Sequence, residues 1–358
     1  MSPVGPASPR IASLVSTATR MMQHRDQPGR RGASKFIGLG AKILTSLAAL
    51  AYLGTKIEQD TLVQTIGGAD PGLILAAILA LALQPLLATI RWWELLRAML
   101  MQVGFGRLLQ IIYVAHFFNQ VLPASIGADV IRVWLVRRDG CSLSKGVMSV
   151  FIDRIVMLLI LLMLAIFGYF MLRRSFAMPE ANLFVLGSLI IFLPILILSI
   201  AFKTNFVRAL SRRAWRFAAL PIQHLRMFLV HPKALASVSF FSLASHVNII
   251  FTVFLLMLAF GAKASFVEVA ALMPLVLVAA TLPISLGGWG VRELAMVTAF
   301  AQLGIPEAAA LSASVMLGII SIVVTLPGAA FFATLRRDVR PAGPMSENLR
   351  ELEASQRP

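Results

Sequence analysis

"VLPASIGADVIR" spans residues 121–132, and "TLPISLGGWGVR" spans residues 281–292. Leu122, Pro123, Ser125, Gly127 and Arg132 recur as Leu282, Pro283, Ser285, Gly287 and Arg292, each 160 positions later and without a gap. In both stretches a proline ends the preceding helical turn, and glycines let the chain reverse and approach other backbone closely. The likeness continues more weakly past the arginines, where "GCSLSKGVMSV" (140–150) and "GIPEAAALSAS" (304–314) each lead into a long apolar run. A duplicated unit carrying one broken helix per copy is the expectation.

Composition names the solvent. The 358 residues are 58% hydrophobic and 13% charged, with a mean hydropathy of +0.84. Soluble domains carry about 25% charge, so this is a bilayer chain. Its net charge of +16 fits basic loops beside anionic lipid. Nucleic-acid binding would need a basic soluble module interleaved with aromatics, which the sequence lacks; nucleic acid is not an expected partner. One cysteine, Cys141, excludes an internal disulfide and a cysteine-rich metal site. With no HExxH, P-loop or GxSxG pattern, neither a catalytic residue nor a metal or cofactor is expected, and the chain does not read as an enzyme.

Apolar runs of bilayer length, near 20 residues, fall at 36–54, 72–90, 146–170, 183–202, 237–260 and 307–335. Residues 1–35 read as a disordered basic cytoplasmic tail, 203–236 as a basic cytoplasmic connector and 336–358 as a second cytoplasmic tail. Two interrupted stretches remain, 108–131 and 267–303. The limb from Leu108 to Val121 reaches roughly 21 Å at the helical rise, short of a ~30 Å hydrocarbon core.

Counting lysines and arginines separates a hairpin from a crossing. With both breaks as re-entrant hairpins and the N-terminus inside, only Lys56, Arg173, Arg174, Lys263 and Arg292 lie outside, and the other 27 of 32 lie inside. As crossings, they would move Arg132, Arg137, Arg138, Lys145 and the basic connector outside, against the positive-inside rule. The expected fold is therefore an all-α polytopic membrane protein. It has about six transmembrane helices plus two re-entrant hairpins, arranged as an inverted repeat (36–170 and 183–335) within a membrane domain of 36–335. Such repeats are the architecture of many secondary transporters.

Broken backbone at membrane depth is tolerated where protein or a water-filled cavity satisfies it. Freed amides after Pro123 and Pro283 would offer an anion site, with Gly127, Gly287 and Gly288 giving room. Arg132 and Arg292 either line that cavity or anchor by snorkelling.

"RWWELL" (91–96), "NQVLPASIGADVIR" (119–132), "SVFIDR" (149–154), "PISLGGWGVRE" (283–293) and "LPG" (326–328) together resemble the lysylphosphatidylglycerol synthase transmembrane, or flippase-like, family. The resemblance covers about residues 36–335. It implies a membrane region that moves a polar, aminoacylated or glycosylated lipid between leaflets of the inner membrane. Related regions stand beside or fused to glycosyltransferases, so a non-transporting partner of a lipid-modifying transferase is the alternative. Ala128 stands where the family leads one to expect a second glycine, which implies a less open first hairpin. No soluble aminoacyl-transferase domain is present, so synthase activity is not implied.

The charged residues give the candidate headgroup site. Arg91 and Glu94, three apart after the second helix, form an interfacial pair or touch a headgroup, and Trp92 and Trp93 read as an interfacial belt. Asp129 and Arg132 share the same spacing. Asp153 and Arg154 lie within an apolar span, where each charge costs ~2.5–3.5 kcal/mol; Asp153 is expected to pair with Arg132 or Arg154 beside the cavity. Glu293 beside Arg292 is the analogue in the second copy, and Asn119 sits one turn before the first break. The expected ligand is a phospholipid or lipid-linked sugar headgroup, in a multi-pass protein of the inner (plasma) membrane with cytoplasmic termini.

Overall fold

The structure, a computed structural model, describes residues 44–49, 51–121, 125–173, 231–281 and 288–337. All regular elements among the described residues are helices. Residues 44–49 and 51–56 (α1) are followed by α2 (Gln59–Gly67), α3 (Pro71–Ala82), α4 (Gln84–Ala98), α5 (Phe105–Val121), α6 (Ser125–Arg138) and α7 (Leu143–Arg173). Then come α8 (Pro232–Ala259), α9 (Phe266–Thr281), α10 (Val291–Ala301), α11 (Glu307–Thr325) and α12 (Pro327–Arg337).

Four helical stretches are long and apolar enough to cross a bilayer: Pro71–Ala98, Leu143–Met171, Pro232–Ala259 and Glu307–Leu335. They correspond to the expected spans at 72–90, 146–170, 237–260 and 307–335. Two of them are jointed. Pro85 follows the joint at Leu83, and Pro327 follows the joint at Leu326, because proline removes the amide that would continue the ladder. Of the other two expected spans, 36–54 is helical over its described part, and 183–202 lies outside the described residues. The tail 1–35 and connector residues 203–230 also lie outside them. Residues 232–236, read as connector, instead form the first turn of α8, with Pro232 at the position where its missing N–H costs nothing. Residues 336–337, read as tail, extend α12.

Local chemistry sets the remaining boundaries. The Asp70 carboxylate caps α3 by accepting from the amides of Gly72 and Leu73 at 2.7 and 3.2 Å. Glu268, unexplained from sequence, closes a capping box with Ser265 at the start of α9: its carboxylate accepts from the Ser265 amide at 2.7 Å, and the Ser265 hydroxyl accepts from the Glu268 amide. Pro274 lies buried inside α9.

Side-chain and backbone links sort the helix termini into two ends. At one end Lys56 meets Glu307 at 2.6 Å, and the Asp70 amide donates to the Ala259 carbonyl at 3.0 Å. At the other, Arg138 donates to the Leu335 carbonyl, and Arg107 grips Asp139 through two bonds of 2.9 Å. Arg107 opens α5 and Asp139 follows α6, so the first broken stretch returns to the end it left. The α9–α10 pair connects through short loops to Ala259 on one side and Glu307 on the other, and so opens at the opposite end.

Each hairpin's first limb lies on a glycine of a spanning helix. A Cβ at Gly168 of α7 would stand 2.9 Å from the Ala271 carbonyl carbon of α9. One at Gly328 of α12 would stand 2.7 Å from the Tyr113 carbonyl carbon of α5. Contacts this close require glycine. Outward faces carry Leu79, Met163, Phe167, Phe240, Phe251 and Val323 in exposed positions, as a hydrocarbon solvent permits.

Cys141, in the α6–α7 turn, reports on the arrangement. Burial, with a smaller contribution from Asp139, raises its thiol above the ordinary value. Only the thiolate reacts, so modification by a membrane-impermeant maleimide is expected to be slow at neutral pH and to accelerate as pH rises. In vesicles of known orientation, Cys141 and a Lys263→Cys probe placed in a Cys141→Ser background are expected to label from opposite faces. Labelling of both from one face would contradict the two-ended arrangement.

Candidate functional site

In the middle of the bundle α4, α6 and α7 bring five charges together. Arg91 projects from α4, Asp129 and Arg132 from α6, and Asp153 and Arg154 from α7. Asp153, 1% exposed, lies between two guanidinium groups. Arg91 donates to it at 2.6 and 3.3 Å, and Arg132 donates twice at 3.0 Å. Arg91 also reaches the Ser245 hydroxyl of α8 at 3.4 Å and the Met157 sulfur. Asp129 takes a bidentate grip from Arg154, at 2.9 and 3.0 Å, and lies 3.6 Å from Arg132. Beneath these, Trp92 is fully buried, its indole N–H donates to the Ser149 hydroxyl at 3.2 Å, and the Arg132 guanidinium sits 4.2 Å over its ring.

Three arginines face two aspartates, so the ionised cluster carries a net +1. His116 of α5 is within electrostatic range of Arg132, Arg91 and Arg154 and adds no counter-charge. Arg132 Nε finds no acceptor among the described residues. A buried guanidinium nitrogen without a partner is costly.

The expected pairing of Asp153 with Arg132 is present. Its alternative, Arg154, is committed to Asp129. Two readings of the 91–96 stretch are corrected. Arg91 does not pair with Glu94: α4 continues to Ala98, and its buried face carries Arg91 inward to Asp153, while Glu94 meets Arg97 loosely at 3.8 Å. Trp92 is not part of an interfacial belt but the floor under Arg132; Trp93 is the partly exposed member, with Arg97 4.6 Å over its ring. The periodicity that separates Trp92 from Trp93 becomes visible only once α4 is known to extend past residue 90. Asn119 lies half-buried in the last turn of α5, and Gly127 is half-buried in α6.

The second copy is built differently. Arg292 binds Glu293, the Ser314 hydroxyl at 3.1 Å and the Ser314 carbonyl at 3.0 Å, with its guanidinium 5.1 Å over Trp289. Glu293, fully buried, accepts from the Gly290 amide at 2.6 Å and caps α10. The expected anion site at this helix start is thus filled by the chain's own carboxylate, and one arginine balances one glutamate. Gly288 and Gly290 both have φ +84, a left-handed conformation that favours glycine, and α10 starts only at Val291. In the first copy Ala128 is already helical within α6, so the two return limbs begin at different points of the shared motif. Pro123, Pro283 and Gly287 lie outside the described residues.

His246 donates from Nε2 to the Met157 carbonyl at 3.0 Å, and Asn248 donates to Gln84 at 3.2 Å, both as bonds between helices. Beyond them, toward the Lys56 end, α7, α8 and α9 enclose an apolar cleft of about 250 Å³ near Leu164, Phe167, Val247 and Phe266. Among the described residues no group of three or more His, Cys, Asp or Glu side chains could hold a metal ion.

A bundle of span-length apolar helices around a buried ionic cluster defines a polytopic α-helical membrane protein. Residues 39–328 match the lysylphosphatidylglycerol synthase TM region, and the chain belongs to that family. It is also 30% identical over 120 residues to the glycosyltransferase AglD of Haloferax volcanii, a match covering 33% of this chain and 19% of that protein. The chain therefore spans about a fifth of the length of that curated relative.

Removing Asp153 leaves Arg91 and Arg132 buried without a counter-charge. Asp153→Asn is expected to lower stability by about 3–5 kcal/mol, and by more than Asp129→Asn, because Asp129 leaves behind a single, half-accessible arginine rather than two buried ones. Unfolding of the two purified variants in detergent, compared with the parent, measures the difference.

Proposed function

We propose that this protein moves a polar lipid headgroup between the leaflets of the inner membrane, with the acyl chains left in the bilayer. The observation that carries the reading is the Arg91–Asp153–Arg132 cluster. Ionised groups inside a membrane bundle are expensive and mark pathways for polar cargo, and this one carries uncompensated positive charge at the return limb of a broken helix. The cargo is a phospholipid or lipid-linked sugar headgroup. Arg132 and Asp153 meet it at one hairpin, and Arg292 and Glu293 stand at the other. No reaction is assigned to the chain, and movement is facilitated exchange or coupled to a gradient.

The same reading takes the fold as six crossing helices and two re-entrant hairpins in an inverted repeat, with both termini cytoplasmic. Three features support it. The LPxSxG motif recurs at 160 residues, as do the contact glycines Gly168 and Gly328. The hairpins open at opposite ends. And each first limb packs on the last helix of the other half. Alternating access in such folds is rocking of one repeat against the other around a fixed site. Membership of the lysylphosphatidylglycerol synthase TM region family supports a role in lipid modification or flipping.

A second reading is favoured by the partial similarity to a protein named a glycosyltransferase: the chain is a non-transporting membrane partner of a lipid-linked glycosyltransferase or aminoacyltransferase. Purified protein in liposomes loaded with fluorescent phospholipids separates the two. Scrambling above the rate of empty vesicles, reduced roughly tenfold in a monodisperse Arg132→Gln variant, supports transport, since tenfold corresponds to ~1.4 kcal/mol. No acceleration by the parent protein, with a transferase recovered on affinity purification, would favour the partner role.

A further inference from the structure

Arg154 differs from the other charges in the cluster. It lies eleven residues, roughly 16 Å, along α7 from Leu143, yet 49% of its side chain is accessible, against 7% for Arg132 and 2% for Asp153. It is therefore a charge at membrane depth on an outward face. Its surroundings belong to a lipid-facing surface: Phe151 and Val147 of α7 and Val130 and Trp134 of α6 are all exposed large apolar side chains. A guanidinium facing hydrocarbon is costly, and among the described residues Asp129 is the carboxylate that pairs with it.

A graded route leads to it along α6. Arg138, Trp134 and Val130 follow at four-residue spacing and stack on one helix face, with the Arg138 guanidinium 5.4 Å over Trp134 at the helix end. Asp129 adjoins Val130 and bridges two arginines, gripping Arg154 at 2.9 Å and lying 3.6 Å from Nη1 of Arg132. A group displacing the Asp129 carboxylate from Arg154 would gain that bidentate donor and have Arg132 next behind it. The group that fits is an anion with several acceptor oxygens, and the apolar rim suits one that is carried on acyl chains.

We infer that the α6–α7 seam is a lateral portal for an anionic phospholipid, whose phosphodiester exchanges with Asp129 on Arg154 before reaching Arg132. This deepens the proposed transport role and rests on it for the onward step, but the binding itself is separable. Asp129 acts as an internal stand-in for the phosphate that keeps Arg154 neutralised between cargoes.

The test is lipid retention on the detergent-solubilised full chain, read by native mass spectrometry with phosphatidylglycerol and phosphatidylcholine. Phosphatidylglycerol, net −1, should be retained roughly tenfold better than phosphatidylcholine, whose choline cation offsets the same phosphate; Arg154→Gln should erase the preference, and Asp129→Asn should increase it. Inorganic phosphate in the same assay should compete only at far higher concentration. Equal retention of the two lipids, an unchanged preference in a monodisperse Arg154→Gln variant, or equal competition by inorganic phosphate would each overturn the portal. A preference retained by protein that fails to scramble lipids in liposomes would instead overturn transport and leave the portal standing.

Discussion

The ionic cluster shared by α4, α6 and α7 is organised by the position of one carboxylate. Asp153 lies in the interior of a long apolar helix, where a lone charge would be prohibitively costly, and it is tolerated because Arg91 and Arg132 close on it from two other helices. The ion pairs thus do what apolar packing does not, since hydrocarbon side chains gain little by exchanging lipid contact for helix contact. They fix which faces of α4, α6 and α7 point inward, and they place the return limb of a broken helix at a set depth. Stacking of Arg132 on Trp92 adds a rigid floor. The first hairpin is held at its mouth by Arg107 and Asp139 and at its deep end by this cluster.

The two copies of the broken-helix motif share a frame but have divergent electrostatics. Around Arg292, one carboxylate, one hydroxyl and one carbonyl consume the donors, and Glu293 doubles as a helix cap, so that copy is saturated and neutral. Around Arg132, an extra arginine and an exposed partner leave positive charge in surplus. The asymmetry leaves one copy with surplus positive charge and the other with its donors and charges closed among themselves.

Much of the frame was legible in the residues. The repeated LPxSxG break, the apolar runs and the distribution of Lys and Arg were enough to expect span-length helices and two chain reversals. Asp153 was expected to seek Arg132 or Arg154 because an unpaired carboxylate is costly at that depth, and it takes Arg132. What escaped was the length of α4. Reading its end near residue 90 put Arg91, Trp92 and Glu94 in an interfacial layer, although continuing the 3.6-residue period to Ala98 would have turned Arg91 and Trp92 inward and Glu94 away. Exposure of Arg154 was also illegible, for a single sequence does not say which face of a long apolar helix meets lipid.

The glycines at 168 and 328 bear on how the molecule is held as a whole. Each lets a strut of one half lie directly on the spine of the other, backbone to backbone, so the halves clasp reciprocally like interlaced fingers. Such a clasp leaves no space for a side chain at either crossing, so these helices are held at the shortest separation two backbones allow and have little freedom to slide past one another.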